Sequence, residues 1–188
     1  LTLNFYGPSD LRATLPSGNS VVLSQDTEYP VGNHVALRVQ PDRTESFVLR
    51  LRIPEWSKKT AVRVCGQEIE AEAGTYLRIE RAWKSGDLIE IVFDFSPRFW
   101  KGEQECADKT SIYRGPLLYA YDARYNELNP DDLPAMDWDS VQFEDIEWDG
   151  PIEPWALAVL KDAKGASYRV CDFSSAGQTG NHYKSWLP

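Results

Sequence analysis

Histidine and cysteine are scarce in this chain: two of the first, His34 and His182, and three of the second, Cys65, Cys106 and Cys171, in 188 residues. The cysteines are widely spaced and odd in number, so they provide neither a CxxC pair nor a disulfide framework. Each reads as a small buried hydrophobe or an idle thiol, which favours a reducing, cytoplasm-like compartment. Two histidines and three scattered thiols do not make the four-ligand set of a zinc site. A Ser-His-Asp triad needs an activated serine, and no GxSxG elbow occurs. Both histidines read as hydrogen-bonded structural residues. No apolar run approaches the ~20 residues that span a bilayer, and no charged segment followed by an apolar one opens the chain. Excess cationic charge is missing too. The net charge is −9 and the pI about 4.8, which argues against phosphate-backbone recognition and against docking on anionic membranes. Nucleic acid and membrane are therefore not expected partners.

What is present is alternation. Hydrophobic residues make up 42% of the chain, enough for a core. Val35, Leu37 and Val39 alternate with Ala36 and Arg38. Phe47, Leu49, Leu51 and Ile53 alternate with Val48, Arg50 and Arg52, and the same rhythm runs through Tyr76–Glu80 and Ile89–Phe95. A period of two is the mark of a half-buried strand. Pro16-Ser-Gly18, Cys65-Gly66 and Ser85-Gly86-Asp87 punctuate these runs as turns, with Cys65-Gly66 closing a tight hairpin. No long amphipathic helix is evident. The spacing predicts an all-β chain: an antiparallel β-sandwich of jelly-roll or Ig-like type, with room for a small irregular or second β subdomain.

Composition changes after Asp122. Tyr125 to Leu160 holds no Lys or Arg but ten acids, which account for the whole net charge. Residues 1–122 read as the sandwich core, 123–154 as an acidic irregular excursion, and 155–188 as strands completing one overall domain. The chain opens at Leu1 inside an apparent strand, Leu1–Tyr6, and so reads as a piece of a longer polypeptide.

Several groups could carry chemistry. Asp137 and Asp139, with Asp131-Asp132 beside them, are the nearest thing to a calcium set. Their spacing lacks the mid-loop Gly and terminal Glu of an EF-hand, so a solvated acidic loop is the simpler reading and no metal is assigned. Paired carboxylates can cleave glycosides, but nothing in the sequence selects a pair. Of seven Trp and nine Tyr, Trp148, Trp155, Tyr183 and Trp186 fall where alternation is absent and exposure is plausible. They are the candidates for a glycan-stacking platform, with packing or interdomain contact the plainer role. Trp56, Trp83 and Trp100 follow strand ends and are expected to cap the core.

Five segments together resemble one family: Leu3-Asn-Phe-Tyr-Gly-Pro-Ser9, Leu51-Arg-Ile-Pro-Glu-Trp56, the run Tyr76-Leu-Arg-Ile79 through Trp83 to Gly86-Asp87, Tyr113-Arg-Gly-Pro-Leu-Leu-Tyr119, and the ending Asp172 to Leu187. Their order and spacing are similar to the region after the catalytic barrel in the β-L-arabinofuranosidase family, glycoside hydrolase family 127. The resemblance implies an (α/α)6 barrel followed by β-sandwich domains, with a cysteine nucleophile and a zinc ion in the barrel. It carries no catalytic residue or cofactor onto this chain, which has no Cys-Cys pair. The function it implies is a non-catalytic accessory β-sandwich whose partner is the parent's catalytic barrel. A carbohydrate-binding module and an oligomerisation module, pairing copies of the chain, are the alternatives.

Overall fold

A computed structural model describes residues 1–188. Two units emerge, Leu1–Phe95 and Ser96–Pro188. The observed division thus lies at 95/96 and not at the 122/123 and 154/155 boundaries expected from composition. The reason is hydrogen bonding: the strands between 98 and 122 pair onward with those of 157–172. Regular structure is strand, with three short 3-10 turns, and no helix is long and apolar enough to cross a membrane.

The first unit is a two-sheet sandwich. Its larger sheet holds β2 (Ser9–Thr14), β3 (Ser20–Thr27), β4 (His34–Pro41), β6 (Ala61–Val64), β7 (Gln67–Ile69) and β9 (Asp87–Val92), in the order β2-β3-β4-β9-β6-β7. Its smaller sheet holds β1 (Thr2–Leu3), β5 (Glu45–Arg52) and β8 (Tyr76–Trp83), with β1 joining β5 in parallel. The expected opening strand is therefore only two residues long. Alternation decides which face turns inward. Val35, Leu37 and Val39 of β4 meet Leu49 and Leu51 of β5 and Ile79 and Trp83 of β8 in one core. Trp83 is fully buried and donates its indole N–H to the Phe47 carbonyl at 3.0 Å. Each such side chain contributes about 1.5–3 kcal/mol of transfer free energy. The hairpin between β6 and β7 has Val64 opposite Gln67, which leaves Cys65 and Gly66 as a two-residue loop with φ 50° and 81°. Positive φ at both positions matches the right-handed strand twist.

The second unit is one antiparallel sheet that curls. It contains β10 (Arg98–Lys101), β11 (Thr110–Arg114), β12 (Leu117–Asp122), β13 (Gln142–Asp145), β14 (Leu157–Lys161) and β15 (Ser167–Asp172), in the order β10-β11-β12-β15-β14-β13. A short β16 (Tyr183–Lys184) also pairs with β12. Although β11 and β13 lie far apart in this order, Arg114 reaches Asp145 at 2.6 Å and Tyr119 meets Phe143 edge-on at 5.3 Å. The sheet must bend to bring them together. Ile112, Tyr119, Tyr121, Leu160, Tyr168 and Val170 line its inner face.

The acidic excursion is not merely solvated. Leu133 and Met136 are buried on that inner face, with Trp138 beside them. Its carboxylates recruit cations from outside the stretch: Asp131 with Lys184 at 2.5 Å, Asp137 with Lys164 at 3.2 Å and Asp139 with Lys101 at 3.8 Å. Trp56 packs on Phe93 and Phe95, as a core cap should. Trp100 does not follow that expectation. It lies within β10, the edge strand of its sheet, and is 66% exposed.

Candidate functional site

The polar chemistry of the second unit gathers where β12 and β15 end. Asp122 and Asp172 are fully buried. Asp122 accepts hydrogen bonds from the amides of Arg124 at 2.7 Å and Gly177 at 2.9 Å. Asp172 accepts from the amides of Ala156 and Ser175, both at 3.0 Å, and from the Ser174 hydroxyl at 2.5 Å. Each carboxylate thereby ties an irregular segment to the sheet. Sealed from solvent and saturated by donors, neither can reach a glycosidic oxygen, so this buried pair is structural. Arg124 lies 3.6 Å from Asp122, donates to the Ser175 carbonyl at 2.9 Å and stacks on the Tyr125 ring with 4.5 Å to its centroid. Its Nε and Nη1, and the Tyr125 hydroxyl, are buried without a protein partner. Burial pushes the Tyr125 phenol up to about 12. Burial, with Asp122 and Asp172 nearby, pushes the Cys171 thiol up to about 12 as well. A thiol that stays protonated at neutral pH is no nucleophile.

Beside this cluster opens a cleft of about 580 Å3. Glu127, Ser167 and Arg169 give it exposed polar groups, while Tyr121, Tyr125 and Tyr168 border it with rings that are themselves buried, at 1–2% exposure. Asn126 builds one side. Its Oδ1 accepts from the Arg169 amide at 2.8 Å and its Nδ2 donates to the Arg169 carbonyl at 2.9 Å, so the side chain pairs with β15 as a strand would. The Arg169 guanidinium donates through Nη1 to the Tyr125 carbonyl at 3.1 Å. Lys161 is held by Glu144 at 3.2 Å. None of these lining residues carries a sequence signal. Glu127 looks like any loop acid, and Ser167 and Arg169 sit at ordinary outward strand positions.

The four aromatic candidates lie apart from one another in their ring contacts. Trp148 is half-buried and packs edge-on against Tyr125 at 4.9 Å. Tyr183 packs on Phe173 at 5.8 Å. Trp155 is 64% exposed, and Trp186 is half-buried beside the fully buried Leu187. No ring contact joins any two of them. Asp137 and Asp139 are engaged by lysines as described, and no group of three or more His, Cys, Asp or Glu side chains converges to hold a metal. The donor set of this chain therefore does not fit the zinc implied for the parent enzyme. All three cysteines are free. On the first unit, the exposed aromatics are Phe5, 80% exposed, and Tyr76, whose hydroxyl donates to Asn4 Oδ1 at 2.8 Å and so sits against the segment carrying Phe5.

Comparison with known proteins adds the context. Residues 1–95 match the family described as "Beta-L-arabinofuranosidase, GH127 middle domain". Among solved structures, a chain titled "Glycoside hydrolase" is 24% identical with a TM-score of 0.78, and covers all of this chain and 35% of its own length. A GH127 β-L-arabinofuranosidase from Geobacillus stearothermophilus T6 is 22% identical with a TM-score of 0.81, over 99% of this chain and 33% of the other. The GH127 β-arabinofuranosidase BT3674 is 22% identical with a TM-score of 0.79, over 100% of this chain and 34% of the other. The chain thus spans about a third of the length of the solved structures it matches. No curated protein matches it.

Proposed function

Since the chain belongs to glycoside hydrolase family 127 through its middle domain, we propose that it is the non-catalytic accessory β region of a β-L-arabinofuranosidase-like hydrolase. The observation that carries this reading is coverage: similar structures align over all of this chain yet reserve about two thirds of their own length for something else. On this reading the chemistry lies in that remainder, which the family resemblance identifies as an (α/α)6 barrel holding a zinc ion. The residues here support the assignment, since the buried carboxylates are committed to loops and the buried thiol is protonated. The role of the chain is then to bury surface against the barrel and hold it in place. Phe5 and Tyr76 are the aromatic surface assigned to that contact, because large exposed aromatics are typical of interfaces.

The test is an assay of the 188-residue chain with 4-nitrophenyl β-L-arabinofuranoside. No turnover above buffer is expected. Turnover that disappears on a single substitution within this chain would refute the reading.

A further inference from the structure

We propose that β2 is a self-recognition edge: two copies of the chain pair their Ser9–Thr14 strands antiparallel about Leu11, joining the larger sheets of two first units into one. The inference goes beyond the accessory-domain reading and does not rest on it. β2 ends its sheet and is hydrogen-bonded to β3 on one side only. Which of its backbone groups stay free follows from the hairpin. The Leu15 amide donates to the Asn19 carbonyl at 2.8 Å, whereas the Ser20 carbonyl turns to β4 and accepts from the Asp42 amide at 2.9 Å. Hydrogen-bonded pairs alternate along an antiparallel ladder. Ala13 and Leu11 therefore bond to β3, and Asp10, Arg12 and Thr14 direct their N–H and C=O groups away from it. Such a row of unpaired groups is a template for a further strand.

Charge complementarity selects a second copy as that strand. In an antiparallel pairing centred on Leu11, Asp10 of one copy lies opposite Arg12 of the other, twice, by the two-fold symmetry of an isologous contact. These are positions whose backbone groups are free, so the register that matches the charges also matches the hydrogen bonds. Both side chains are exposed, and neither has an ion pair or hydrogen bond within its own chain. Opposite charges directly across a pair of strands favour the pairing, and centring on Arg12 instead sets like charges together. Leu11 opposes Leu23, which is 2% exposed, so it stands on the core-facing side of the sheet, yet it is 46% exposed. At the two-fold axis it covers its counterpart. The other edges lack this combination. β7 is three residues long, and β10 is cationic at both ends. β13 carries Glu144 and Asp145, already held by Lys161 and Arg114, and on β8 Arg78 and Glu80 pair with each other.

The experiment is sedimentation velocity on the 188-residue chain. A shift from monomer to dimer is expected with a dissociation constant of about 10–100 µM, since a six-residue edge lies at the small end of interface sizes. Asp10→Arg sets two cations against each other at both crossings, and Arg12→Asp sets two anions. Each alone should weaken the dimer about ten-fold or more. Mixing the two single variants restores opposite charges at both crossings, so a heterodimer should form about as tightly as the unaltered pair. A variant that fails to fold cannot give that rescue. Arg78→Asp, on the other long edge strand, should change nothing. Four results overturn the proposal: a monomer at every concentration up to about 500 µM, a dimer indifferent to both single variants, a mixture that associates no better than its components, or a dimer lost in Arg78→Asp and kept in Arg12→Asp.

Discussion

Leu37→Ala is the sharpest test of how the first unit is held together. Leu37 sits in the middle of β4, opposite Gln25 on one side and Ile89 on the other. Its side chain is fully buried between the two sheets. Truncation removes three methyl(ene) groups and leaves a hole that the sandwich closes only in part, because both layers are pinned by strand pairing. Leu→Ala at such sites costs ~2.7–5.0 kcal/mol, and about 3 kcal/mol is expected here. Amides at the centre of a sheet exchange through the largest opening of the unit. A loss of about 3 kcal/mol therefore means roughly 150-fold faster hydrogen exchange for the amides of β4 and β9, at 1.4 kcal/mol per tenfold. The matched control is Leu11→Ala. Leu11 is 46% exposed on the edge strand β2, and surface changes of this kind stay within about 0.5 kcal/mol. If Leu37→Ala accelerates exchange less than about five-fold, or no more than Leu11→Ala does, the two-layer core is not what stabilises this unit.

Other outcomes follow from single sites. Asp172→Ala orphans the donors of Ala156, Ser174 and Ser175. It should cost about 3 kcal/mol or more, seen as a lower thermal midpoint, since buried unpaired donors cost ~1–3 kcal/mol each. Gly66→Ala places a side chain at φ 81° and should cost about 1 kcal/mol in a denaturant titration. Cys65→Asn, at φ 50°, should cost nothing measurable, because Asn tolerates that region. In a native thiol assay at pH 8, exposed Cys65 should react and Cys171 should not, because its pKa is pushed up to about 12; Cys171 should become reactive only in denaturant. The hydrogen bond from Lys184 holds the Asp131 carboxyl below its ordinary value. Its stabilising effect is therefore present above the unfolded pKa and is lost as pH falls through the folded one. In Lys184→Met, carboxyl NMR should show the Asp131 pKa rising toward the ordinary ~3.9.

Strands β4, β5, β8 and β9 of the first unit were legible from alternation, since a period of two leaves no other way to hide Val35, Leu37 and Val39 while wetting Ala36 and Arg38, whereas the expected opening strand Leu1–Tyr6 is only two residues long. The β6–β7 hairpin was legible from Gly66, which takes a positive φ at no steric cost, although Cys65 beside it adopts φ 50° without that preference. Trp100 was misread because adjacency to a strand end says nothing about whether another layer lies above it. The cleft residues were invisible for a related reason. Glu127, Ser167 and Arg169 border one cleft only because Asn126 fastens its loop to β15, across more than forty residues of intervening chain.

Sequence by itself determined the fold class and the turns of the first unit, because local sterics and hydrophobic period are properties of neighbours along the chain. Tertiary structure alone decided the division at 95/96, the curling of the second sheet, the burial of Asp122 and Asp172 and the cleft beside them. Those depend on which strands hydrogen-bond across long separations, and a sequence records the edges of strands without recording their partners.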